Sequence, residues 1–129
     1  MHLKIRDSQL RSLSRARLQQ FVVEMMTHLR THFPGELAAL QDWELGEELE
    51  RCLDRAAEYG ISSRRDCARY LELAACFGWS FDTELGWPAK LLREPTGSPS
   101  ARLARVHERC LQSLEQSATK ATQRQVLGM

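Results

Sequence analysis

Two histidines one helical turn apart, His28 and His32, are the first residues along the chain whose spacing could hold a metal ion. On a helix an i, i+4 pair shares one face, which is how zinc peptidases present their HExxH motif. That motif needs a general-base glutamate directly after the first histidine, and position 29 is leucine. With no third ligand evident, the pair reads as part of a half-exposed helix face. Glu47, Glu50 and Asp54 fall on neighbouring faces of one helical segment and could in principle act as acid and base. Such work requires a cleft that drives the two carboxyl pKa values apart, and a plain acidic stripe does not supply one. There is no GxSxG elbow, P-loop or GxGxxG. The sequence therefore predicts no enzyme and no cofactor.

The four cysteines, Cys52, Cys67, Cys76 and Cys110, form no CxxC pair and have no histidine at zinc-finger spacing. They are expected to be small buried hydrophobes in a reducing compartment. The chain opens Met-His-Leu-Lys-Ile-Arg without an apolar signal core, and no run approaches the roughly 18 apolar residues of a membrane span. Cytoplasmic residence and no membrane partner are the expectations.

Aromatic side chains carry the stronger signal. Trp79, Phe81 and Trp87 cluster in or beside one loop, with Leu91 one turn further on. Tryptophan is enriched at the energetic centres of protein interfaces, so these four form the expected apolar contact set for a protein partner. Glu47, Glu50 and Asp54 are the expected charged rim. The alternative is that the aromatics plug the bottom of a helical core.

These residues must be positioned by helices. Apolar steps of three, four and occasionally five link Leu10, Leu13, Leu18, Phe21, Val22, Met25, Met26, Leu29 and Phe33, after a cap at Asp7 or Ser8 and before Pro34-Gly35. A break is allowed near Ser12–Ser14. A second block holds Leu37, Leu40, Trp43, Leu45, Leu49, Cys52, Leu53, Ala56 and Tyr59, with Asp42 as cap and Gly60 as stop. A third starts after Ser62 or Ser63 and runs through Tyr70 to Phe77-Gly78, and its wide apolar face predicts a central position. A short helix through Trp87, Pro88, Leu91 and Leu92 follows the aromatic loop, capped by Asp82 or Thr83. The Glu94–Pro99 linker leads to a last helix with Leu103, Val106, Cys110, Leu111 and Leu114. The prediction is all-α: a compact bundle of four to five helices in one domain over residues 1–115, and a frayed or disordered tail over 116–129.

At 129 residues, with 43% hydrophobic and 27% charged side chains, one packed core is expected. A net charge of +1 gives little to hold a polyanion, so nucleic acid is disfavoured as a partner. Charge is nonetheless polarised. Residues 1–33 carry six Lys/Arg against two acids, while residues 36–58 carry eight acids against two arginines. The turn Ala56–Asp66 partly matches a helix-turn-helix, with Asp66 where Val or Ile is expected. A homodimer could form on a Met25, Met26 and Leu29 face.

The segments IRDSQL, HLRTHFP, RAAEYGISSRRDCARYLELAACFGWSFD and WPAKLL resemble a family of small helical proteins associated with bacterial type VI secretion, over about residues 5–93. Members similar to the co-TecT co-chaperones support the chaperone that loads a toxin onto the secretion spike. The resemblance implies a non-catalytic adaptor or co-chaperone that binds an adaptor chaperone or a secreted effector. An immunity protein that occludes a cognate toxin is the alternative, its acidic residues 36–58 imitating nucleic acid. One departure is the order Trp87-Pro88, where the family places proline before tryptophan.

Overall fold

The computed structural model describes the backbone of residues 15–127 and the side chains of residues 15–116. The cap at Asp7 or Ser8, the break near Ser12–Ser14 and the IRDSQL segment lie outside the described residues. Among the described residues seven helices follow in order: α1 Arg15–His32, α2 Pro34–Leu37, α3 Asp42–Glu58, α4 Arg64–Phe77, α5 Phe81–Glu84, α6 Trp87–Leu92 and α7 Pro99–Leu127. No strand occurs among the described residues, and the all-α expectation holds. Four long helices build the bundle, and three short ones turn the chain between them.

One continuous core draws on every helix, from Phe21, Met25 and Leu29 of α1 to Leu103, Val106 and Cys110 of α7. As its wide apolar face predicted, α4 is central: Cys67, Tyr70, Leu71, Leu73, Ala74 and Ala75 are all buried. Ser63 caps it, accepting the Asp66 N–H at 3.0 Å. Ser98 does the same for α7, accepting the Ala101 N–H at 3.1 Å. At Gly60 the backbone turns through φ +82, and a side chain there would also press on the Pro99 ring at 3.1 Å. Glycine is required at that stop on both counts.

Several expected boundaries shift. Gln41, not Asp42, occupies the N-cap of α3, and its N–H donates to the Glu44 carboxylate at 2.9 Å. Asp42 turns outward to pair with Arg30 at 2.9 Å. Asp82 and Thr83 do not cap the helix holding Trp87: they lie within α5, and Gly86 at φ +84 separates it from α6. Residues 111–116 are exposed throughout, so Leu111 and Leu114 leave the expected apolar stripe of α7. Its backbone continues as helix to Leu127.

Candidate functional site

The aromatic loop is built from the inside. Phe81 is fully buried, its ring 5.3 Å from that of Tyr70. Beside it Asp82, also without exposure, accepts a hydrogen bond from the Tyr59 hydroxyl and faces the Arg55 guanidinium at 3.5 Å. Arg55 donates to the Trp79 carbonyl as well, and the Cys52 thiol approaches the same oxygen at 3.6 Å. Burial and the neighbouring Asp82 both push the Tyr59 hydroxyl pKa up, so it stays a donor. Arg55, Tyr59 and Asp82 thus tie the end of α3 to α5 at the buried end of the loop, and the Tyr70 ring of α4 packs on Phe81 beside them. The signal for this cluster in the sequence is the i, i+4 spacing of Arg55 and Tyr59, with a carboxylate among aromatics downstream.

This arrangement corrects the expected contact set. Phe81 is a core residue and cannot meet a partner. Trp79, Trp87 and Leu91 are half-buried and packed against the core. The Arg109 guanidinium lies over the Trp87 ring at 4.3 Å and covers it further. The proposed dimer face fails for the same reason, because Met25 and Leu29 are buried. Asp66, expected to disturb a helix-turn-helix, is buried and receives the Ser100 hydroxyl, which fastens the start of α7 to α4. Arg64 pairs with Glu24 and lies over the Phe21 ring, so it is already engaged.

Glu47, Glu50 and Asp54 are exposed along α3 as expected. They do not flank the aromatic loop. Cys52, which touches the Trp79 carbonyl, lies roughly 140–200° around the helix from all three at 100° per residue. Their neighbour is a different tryptophan. Trp43 is 64% exposed and sits four, seven and eleven residues before them, within about 40° on the same face. The apolar stripe of α3 was expected to include Trp43, yet it stands two residues before Leu45 and is out of phase with Leu49, Cys52 and Ala56. Its indole N–H donates to Gln41 Oε1 at 2.8 Å, which orients the ring.

Contacts from α1 complete this face. Arg30 bonds to Asp42 and to the Leu37 and Leu40 carbonyls at 3.2 and 2.8 Å. Four residues earlier on α1, the Met26 sulfur would lie 3.9 Å from a Cβ added at Gly46. The two contacts make α1 and α3 antiparallel, and continuing that register by three residues brings Val23 level with Leu49. Val23 is 59% exposed. Gly46 has no side chain, and Met26 of α1 stands where a Cβ would point.

The histidine pair takes structural contacts. His28 Nε2 lies 2.6 Å from Glu72 Oε2, and its ring stands 4.4 Å from that of His32. With Phe77, His107 and Leu111 they line a groove of about 300 Å³ between α1, α4 and α7. Among the described residues no group of three or more His, Cys, Asp or Glu could hold a metal ion. None of the described helices is long and apolar enough to cross a membrane.

Cys52, Cys67 and Cys110 are buried, as small hydrophobes should be, while Cys76 is half-buried. Burial pushes the Cys52 and Cys110 thiols up to about 11. The thiolate is the reactive form, so at pH 8 both should alkylate with iodoacetamide at least about tenfold more slowly in the native protein than in urea. Peptide mapping of the labelled chain checks this, and equal native and denatured rates would contradict the burial.

No family model, no curated protein and no solved structure matches this chain.

Proposed function

We propose that the protein is a non-catalytic adaptor that binds another protein over the seam between α1 and α3. The observation that carries this reading is the outward indole of Trp43, held by Gln41 on the acidic face of α3. Leaving so large an apolar group in water forgoes a few kcal/mol of burial that the fold could otherwise gain. A partner recovers that energy, and exposed aromatics surrounded by charge are the usual centres of interfaces. Glu47, Glu50 and Asp54 supply the charged rim, where charge acts mainly on encounter rate and specificity.

The family resemblance supports a narrower form: a co-chaperone that helps load a type VI secretion effector through its adaptor chaperone, binding stoichiometrically in the bacterial cytoplasm. Tagged chain coexpressed with the products of its neighbouring genes tests this. Trp43→Ala should weaken recovery of the partner by about 2 kcal/mol or more, roughly thirtyfold in affinity, while thermal stability changes little. Recovery unchanged by Trp43→Ala would refute the placement. The outward carboxylates of α3 also suit an immunity protein that imitates nucleic acid. That role predicts rescue of growth from the cognate toxin, whereas a loading factor supports secretion without protecting.

A further inference from the structure

The α1–α3 face specifies the chemistry of what lands on it, and we infer that the occupant is a basic amphipathic helix laid along the seam. This inference rests on the adaptor reading and deepens it. The apolar part of the surface is a strip: Trp43, the bare Gly46 with Met26 against it, and Val23 three residues before Met26 on α1. A strip between two antiparallel helices suits a third helix presenting apolar residues at i, i+3 and i+4, because those positions share one face.

Charge decides the sign of the occupant. The outer edge of α3 is acidic, with Glu47 and Glu50 exposed one turn apart, while the nearby Arg51 is paired with Glu48. Across the strip, the exposed α1 residues that follow Val23's phase are Ala16, Gln20 and Thr27, all uncharged. The nearest α1 cation at the head of the seam, Arg30, is already held by Asp42 and two carbonyls. A helix with Lys or Arg along its α3-facing edge therefore meets attraction from Glu47 and Glu50 and uncharged residues along the middle of α1. An acidic helix of the same shape would be repelled along the outer edge of α3.

The test titrates the full chain with two synthetic 14-residue helical peptides that share their leucine positions, one with lysine and one with glutamate at the remaining sites. Binding is followed by calorimetry and by amide chemical shifts. The lysine peptide should bind one to one, with its largest shifts around Val23, Trp43 and Gly46. Trp43→Ala should weaken it by about thirtyfold. Glu47→Lys combined with Glu50→Lys should weaken it at least about tenfold at low salt and let the glutamate peptide bind instead. Equal binding of both peptides to the native chain, no binding of the lysine peptide, or shifts centred away from the seam would overturn the inference. The two readings separate in the coexpression experiment: partner recovery lost with Trp43→Ala but untouched by the double charge reversal leaves the adaptor standing and removes the basic helix.

Discussion

Arg55→Met is expected to cost the fold about 3–5 kcal/mol, because it removes the cation facing a carboxylate that has no access to water. Methionine keeps most of the aliphatic stem, so the loss isolates the guanidinium. Asp82 would be left with the Tyr59 hydroxyl alone, and the Trp79 carbonyl would lose its strongest donor. Asp82→Asn should cost less. Arg55 is about a quarter exposed and can turn toward solvent, whereas Asp82 has nowhere to go. Urea denaturation of both variants measures the difference, and the Arg55→Met midpoint should also fall by about 10 °C or more on heating. A cost under about 1 kcal/mol for Arg55→Met would mean that the cluster is hydrated in solution.

Phe81→Ala should be of similar size, about 3–5 kcal/mol, for a different reason. It empties a fully buried ring site against Tyr70, adding a cavity to the lost transfer energy. Phe81→Leu fills most of that volume and should cost about 1 kcal/mol. The pair of variants separates core from contact. If Phe81 acts only in packing, Phe81→Leu binds the partner as the native chain does, and the deficit of Phe81→Ala tracks its unfolded fraction. Weak binding by a stable Phe81→Leu would return the residue to the interface. Because Phe81 adjoins Asp82, the effects of Arg55→Met and Phe81→Ala should not add.

The helices themselves were legible wherever a local rule governs them. Ser63 and Ser98 cap as their positions require, Gly60 and Gly78 stop helices with positive φ, and the breadth of the α4 stripe announced its central place. The acidic row of Glu47, Glu50 and Asp54 is likewise a matter of residues per turn. Trp43 was legible too: counting back from Leu45 puts it in phase with the acids, and only its apolar character argued for the core.

What one-dimensional spacing could not decide is which of several apolar groups the neighbours cover. Phe81 is buried and Trp79 and Trp87 half-buried because α3, α4 and α7 close over that loop, while Trp43 lies beyond the edge of α1 and stays outside. The same holds for Asp82, which reads as a helix cap until Arg55 and Tyr59, more than twenty residues earlier, are brought beside it. Helix phase, caps and stops depend on residues within a turn or two of each other, so the sequence determines them alone. Burial and charge pairing depend on distant segments meeting, and only the tertiary structure settles those.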